Sequence, residues 1–298
     1  MNVLITGASG LLGQYLNAEL SPAFKILCLY NTKKGNIVDF PNINADIRNE
    51  VVIRGVFNDF RPDTVVHTAA IADNADAKLL PPAVVYNTNV RGTEIIARLC
   101  DEYGAKLIYT STDLVYAGYR GSMLKEDAKL VPLSLYAESK LMGEIKIKNT
   151  FDNYIILRTA LLFGLSLNHT THHFSEMYER MKKGVPSRLF FDQYKTPLAL
   201  KEAARIIRQL INTPVNGEII NFGGKERLSR VDMAEVLCEH GGFDKGLIEP
   251  VSITSIPGLP QVADVSMDTG KLDALGIQRQ SYEASIAEIL RDDTTLKG

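Results

Sequence analysis

From Asn2 to about Leu162 the chain alternates short, nearly continuous apolar runs with longer helical patterns. Few folds accept that order: strands buried on both faces, each followed by a crossover helix, build a parallel sheet covered by two helix layers. Strands are expected at Asn2–Thr6, Lys25–Tyr30, Ile43–Asp46, Thr64–Thr68, Lys106–Ser111 and Tyr154–Leu161, with helices near Leu11–Leu20, Arg48–Asp59, Pro82–Tyr103 and Leu135–Asn149. Beyond Gly164 the period becomes irregular, with helices near Phe174–Lys183, Lys201–Ile211 and Arg230–His240 and strands near Arg188–Phe191 and Glu218–Phe222. The expected architecture is a doubly wound parallel α/β sheet over residues 1–164 and a smaller α/β lobe over residues 165–298, partly interleaved with it. Ser166–His173 and Ile256–Pro260 are the linker candidates.

The first strand runs directly into Gly7-Ala8-Ser9-Gly10-Leu11-Leu12-Gly13 and then an amphipathic helix. Glycines there serve the turn, the close approach of backbone to ligand and the helix–strand contact, and helix N–H groups are aimed at a pyrophosphate. The spacing is G-x-x-G-x-x-G, and its place between first strand and first helix makes this a Rossmann-type dinucleotide site. An acidic residue ending the second strand would take the ribose 2′-hydroxyl of NAD. The sequence there is Tyr30-Asn31-Thr32-Lys33-Lys34, with no carboxylate to repel a 2′-phosphate and two ammonium groups to pair with it. NADP(H) is the expected cofactor and NAD(H) the alternative.

Composition closes off other classes. With 33 Lys and Arg against 35 Asp and Glu, the net charge of −2 offers no basic excess for a polynucleotide. An apolar share of 45% with 23% charged residues is that of a globular chain with a sizeable core. Three cysteines, Cys28, Cys100 and Cys238, cannot pair completely and lie in apolar segments, which points to reduced thiols and a cytoplasmic setting. No basic leader precedes the first strand and no apolar stretch approaches about 18 residues, so neither a signal peptide nor a membrane span is expected.

Tyr136 and Lys140 stand four apart on an expected helix, where the ammonium can lower the phenol's pKa and make it a usable acid or base. The spacing alone is weak, since it also occurs at Tyr30/Lys34 and Tyr178/Lys182. Tyr136 is singled out by Ser111-Thr112-Asp113 at the end of the fifth strand, because ligands of doubly wound sheets bind outside the carboxyl ends of strands. In this reading Tyr136 moves the proton, Thr112 hydrogen-bonds the reacting oxygen, Lys140 tunes Tyr136 and holds the nicotinamide ribose, and the cofactor supplies the hydride.

Gly7-x-x-Gly10-x-x-Gly13, Ser111-Thr112-Asp113-Leu114-Val115-Tyr116 and Tyr136-x-x-x-Lys140 together resemble the extended short-chain dehydrogenase/reductase superfamily. Lys125-Glu126-Asp127 through Pro132, Leu135 through Glu144, and Asp192-Gln193-Tyr194-Lys195-Thr196-Pro197 look most like its dTDP-4-dehydrorhamnose reductase branch. That resemblance implies an NADP(H)-dependent reductase of a keto group on a nucleotide-linked sugar. It implies that Asp46 and Ile47 contact the adenine, that Ala69 and Ala70 line the phosphate and ribose side, that Asn89 shapes the pocket, and that Arg158 and Thr159 lie near the nicotinamide. The chain departs from the branch at Ile71 through Lys78 and at Leu198, both on the substrate side. An epimerase or dehydratase on the same scaffold, and an NADP-binding regulatory subunit like that of methionine adenosyltransferase, stay open beside the reductase, as does a homodimer.

His169-x-x-His172-His173 invites a metal reading, but no cysteine or carboxylate cluster accompanies it at ligand spacing, so no metal is expected. Asn168-His169-Thr170 matches a glycosylation sequon that a chain in a reducing compartment would not use. The segment reads as a polar loop at the lobe junction, and His67, ending a buried strand, as a packed imidazole.

Overall fold

In a computed structural model the described residues are 1–72, 80–256 and 261–295. The elements in order are β1 (Asn2–Thr6), α1 (Leu11–Leu20), β2 (Lys25–Tyr30), β3 (Asn42–Asn44), α2 (Glu50–Phe60), β4 (Thr64–His67), α3 (Pro82–Tyr86), a π-helical turn (Asn87–Gly92), α4 (Thr93–Tyr103), β5 (Lys106–Thr112), α5 (Leu135–Lys148), β6 (Tyr154–Thr159) and β7 (Leu162–Phe163). There follow α6 (His173–Lys182), β8 (Ser187–Phe190), β9 (Tyr194–Lys195), β10 (Leu198–Ala199), α7 (Leu200–Ile211), β11 (Glu218–Phe222), β12 (Leu228–Ser229), α8 (Arg230–Gly241), β13 (Ile248–Val251), α9 (Gly270–Ala274) and α10 (Tyr282–Thr295).

Seven strands form one parallel sheet in the order β11-β6-β5-β4-β1-β2-β3. Successive strand side chains point to opposite faces, and β1 divides accordingly: Val3 and Ile5 enter the core under α1 and α7, Leu4 the core under α2 and α4. All three are fully buried, which is why the strand reads as an unbroken apolar run. Strand order reverses at β1, whose neighbours are β2 and β4, and a crevice opens beyond the carboxyl ends there.

The stretch after Gly164 contributes to both parts of the molecule. β11 pairs with β6 as the last strand of the main sheet, and α7 lays Ala203, Ile207 and Leu210 against Leu16 and Leu20 of α1. A separate core gathers Phe174 and Met181 of α6, Leu189 of β8, Leu237 of α8 and Ile286 of α10.

Several boundaries differ from the sequence expectation. β6 stops at Thr159 rather than Leu161, because Ala160 donates to Phe222 O (2.9 Å) and the chain turns into β7, which pairs with β10. β3 ends at Asn44, and Asp46 instead binds Arg48, its Oδ1 accepting from the Arg48 backbone N–H (2.9 Å). The long helix from Pro82 carries the π-helical turn in its middle. β13 and α10 were not expected, although Tyr282, Ile286 and Ile289 bury one face of α10 at helical spacing. Ser166–His173 is no slack linker: Tyr15 of α1 donates its hydroxyl to Leu165 O (2.8 Å) and Gln14 Nε2 donates to Leu167 O (3.1 Å). Of Ile256–Pro260, residues 257–260 lie outside the described residues, as does most of the Ile71–Lys78 departure.

Candidate active site

A cleft of about 830 Å³ occupies the crevice above β1, β4 and β5, within the range of cofactor and ligand sites. Its floor at one end is the glycine turn. Gly7 has φ +67° and lies so close to the chain after β4 that a Cβ would meet Ala69 N at 2.6 Å; at Gly13 a Cβ would meet Gly7 O at 2.3 Å. No larger residue fits either place. Gly10 caps α1 with no side-chain bond to its first turn, and the backbone there, Leu11 through Gly13, faces the cleft. An uncapped helix start at the bottom of a crevice suits a pyrophosphate.

The opposite wall comes from β5 and α5. Ser134 caps α5 by accepting from Ala137 N (3.2 Å), which places Tyr136 and Lys140 on the first two turns, both lining the cleft. Tyr136 is half-buried and Lys140 almost wholly buried. The Lys140 ammonium lies over the Tyr109 ring, 4.1 Å from its centroid. Gly143 allows this approach, since a Cβ there would come within 2.4 Å of the Tyr109 hydroxyl oxygen. Burial pulls the Lys140 ammonium down to about 7, against the opposing charge of Glu144. Thr112 lines the same wall; its Oγ1 accepts from Leu114 N (3.2 Å) and donates to Asp113 Oδ1 (3.3 Å).

Asn89, in the π-helical turn, is fully buried and braces the wall. Its Oδ1 accepts from Ile71 N (2.8 Å), while Nδ2 donates to Ile71 O (3.0 Å) and to Ser139 Oγ of α5 (2.9 Å). π-turns recur at functional sites because they re-aim one side chain out of the helical register.

The structure gathers Gly7, Gly10, Leu11, Leu12, Gly13, Ala70, Thr112, Tyr136, Lys140 and Thr159 on one cleft. Ser9, Asn31, Thr32, Lys33, Asp46, Ile47 and Ala69 fall outside its lining. Asn31, Thr32 and Lys33 are exposed after β2. The Asp46 carboxylate sits on Arg48 at 2.6 Å, which holds it below its ordinary pKa. Ile47 is buried against Gly92, and the half-buried Ala69 lies against Gly7. Arg158 does not reach the cleft: it is buried in a bidentate pair with Glu144 (Nε–Oε1 3.2 Å, Nη2–Oε2 2.9 Å) and donates to Tyr116 OH (3.0 Å). His67 is locked between Thr6 Oγ1 (2.6 Å) and Thr93 Oγ1 (3.0 Å), and burial drives its pKa down to about 3.

The far end of the cleft holds residues that sequence reasoning did not assemble: Gln193 and Lys195 from β9 and the turn before it, Arg230 opening α8, and Val262. Lys195 Nζ pairs with Asp113 Oδ2 at 2.8 Å, both side chains buried. Burial lowers the Lys195 pKa, opposed by Asp113. Arg230, whose Nε donates to Gln193 Oε1 (3.4 Å), is pulled down to about 10 by burial. The motif around Asp192–Pro197 was visible in the chain; that Arg230 and Val262 would meet it was not. Among the described residues no group of three or more His, Cys, Asp or Glu is placed to hold a metal ion, and no helix is long and apolar enough to cross a membrane.

A doubly wound sheet, a glycine turn under an uncapped helix start and a Thr–Tyr–Lys wall across the crevice define an extended short-chain dehydrogenase/reductase. The chain belongs to the family described as the RmlD substrate binding domain, which matches residues 1–295. It is 26% identical to dTDP-4-dehydrorhamnose reductase of Aggregatibacter actinomycetemcomitans over 96% of this chain and 97% of the relative. It is 27% identical to methionine adenosyltransferase 2 subunit beta of Xenopus laevis over 96% of this chain and 86% of the relative. The crystal structure of dTDP-4-dehydrorhamnose reductase from Bacillus anthracis str. Ames in complex with NADP superposes with a TM-score of 0.85 at 24% identity, covering 98% of this chain and 99% of that one.

Proposed function

We propose that the protein is an NADP(H)-dependent reductase of a keto group on a nucleotide-linked sugar. The observation that carries this is the convergence of Thr112, Tyr136 and Lys140 on the cleft whose floor is the glycine turn. In this reading the backbone of Gly10 to Gly13 holds the pyrophosphate and Lys33 stands by the 2′-phosphate. The nicotinamide, when bound, supplies the hydride. Thr112 turns its hydroxyl from Asp113 to the carbonyl oxygen, Tyr136 gives that oxygen its proton, and Lys140 in its protonated form sets a positive charge beside the phenol. At the far end Lys195 and Arg230 set two cations against one carboxylate, Asp113, which favours the diphosphate of the substrate. Residues 165–298 supply that substrate side.

The test is NADPH consumption with a panel of nucleotide-linked keto sugars, followed at 340 nm with product analysis. One NADPH oxidised per sugar reduced is the expected result. Conversion of sugar without loss of NADPH means an epimerase or dehydratase, and overturns the reductase. A regulatory subunit is the second reading, favoured by the equal likeness to methionine adenosyltransferase 2 subunit beta. Tight NADPH binding with no turnover across the panel, together with a co-purifying enzyme, decides for it.

A further inference from the structure

Gln14 stands on the second turn of α1, fully buried, with every hydrogen-bonding position of its amide in use. Nε2 donates to Ser9 O (3.2 Å) and to Leu167 O (3.1 Å), and Oε1 accepts from Asn36 N (3.1 Å) and from Asn168 Nδ2 (2.6 Å). The Gln14 carbonyl takes a further bond from Asn36 Nδ2 (2.9 Å). Three segments far apart in the chain, the glycine turn, the loop after β2 and the loop after β7, are therefore tied at one amide. A satisfied buried amide of this kind fixes position, since breaking any one bond strands a polar atom away from water.

The junction determines what stands beside it. Asn168 holds a left-handed backbone, φ +52°, that a side chain seldom adopts without a local bond, and its bond is the one to Gln14. His169, next in the chain, is exposed, and the Gln14 amide oxygen that accepts from Asn168 Nδ2 also accepts from Asn36 N of the loop after β2. Partial burial and then the nearby charge of Lys33 hold its imidazole below the ordinary value. An imidazole kept neutral beside an ammonium group takes up a proton when an anion comes between the two.

We infer that the loop after β7 is a second wall of the dinucleotide's adenosine-phosphate pocket, with His169 facing Lys33 across a phosphate monoester. It rests on the NADP(H) reading above and adds to it a side chain contributed from beyond Gly164. In consequence the 2′-phosphate is gripped by both parts of the molecule, and Gln14 and Asn168 are positioning residues for that grip.

Dissociation constants for NADPH and NADH, measured by fluorescence titration on the full chain at pH 6.5, test this. His169→Ala is expected to weaken NADPH about fivefold and leave NADH unchanged, as for loss of one exposed charge-assisted contact. His169→Lys restores NADPH to within about twofold of the parent. Asn168→Gly, which keeps the left-handed backbone and loses the bond to Gln14, weakens NADPH about threefold with no change for NADH. Wild-type NADPH affinity in His169→Ala, or an equal loss for both dinucleotides, overturns the inference while the cofactor reading stands. A parent protein that binds NADH as tightly as NADPH overturns the cofactor reading and this inference with it.

Discussion

The two ends of the cleft are built from different material. At the glycine end the proposed working atoms are backbone N–H groups, and the sequence's part is to leave out side chains at Gly7 and Gly13. At the far end they are charged side chains, Lys195, Asp113 and Arg230, taken from three separate stretches and held in partial or full burial. Backbone sites tolerate change poorly but serve any ligand of one shape. Side-chain sites can be retuned one residue at a time, so the proposed function gives substrate choice to the far end and cofactor binding to the near one.

Each expected outcome tests that division. The largest is Tyr136→Phe, which removes only the transferable proton: turnover should fall by about 10²–10⁴-fold with NADPH affinity unchanged. Undiminished turnover of a substrate, read at 340 nm, sinks the proposed chemistry. Gly13→Val places a side chain against Gly7 O and should abolish NADPH binding in calorimetry, by about 10²-fold or more. If the variant still binds, the near end is not a backbone site. At the far end Lys195→Met made with Asp113→Asn, so that neither member of that ion pair is left without the other, should raise KM about tenfold and leave NADPH affinity alone.

Smaller effects separate stability from function. His67 and His172 are held by burial at about 3 and about 4, below the usual 6.5. The unfolded chain therefore binds protons in that window that the folded chain refuses, and stability falls as pH drops from about 6.5 toward 4. A Tm that is flat between pH 7 and pH 5 counts against both environments. Lys140 works at the other end of the scale: between about 7 and 10.5 the unfolded chain keeps a proton the folded chain has lost, so this group adds stability as pH rises. Lys140→Met should consequently raise Tm at pH 7 by about 2–4 °C while turnover collapses. A lower Tm would show that the ammonium is fully compensated where it sits.

What was legible in the chain follows the same division. β1 and β2 have the sequence's own boundaries because burial on both faces leaves a local signature, and α1 and β11 keep theirs as well. The glycine turn and the Tyr136/Lys140 pair were readable for a similar reason, being set by spacing within one or two elements. Arg158 was misplaced because a strand-end arginine looks the same whether it faces a cleft or, as here, a buried Glu144 one layer below. Arg230, Val262 and the Gln14 junction gave no local sign, since their meaning comes from partners up to about 150 residues away, as in Gln14 with Asn168. α10 did carry a readable stripe, Tyr282, Ile286 and Ile289, diluted by the charged residues between.

Consider finally β11, the seventh strand of the main sheet. A ribosome must release Phe222 before β6 acquires its outer neighbour, so for some 60 residues of synthesis the nascent sheet carries an open apolar border at Ile155 and Leu157. Cutting the chain after Gly164 should therefore yield an aggregating fragment, and maturation of residues 1–164 has to wait for sequence that lies past their apparent end.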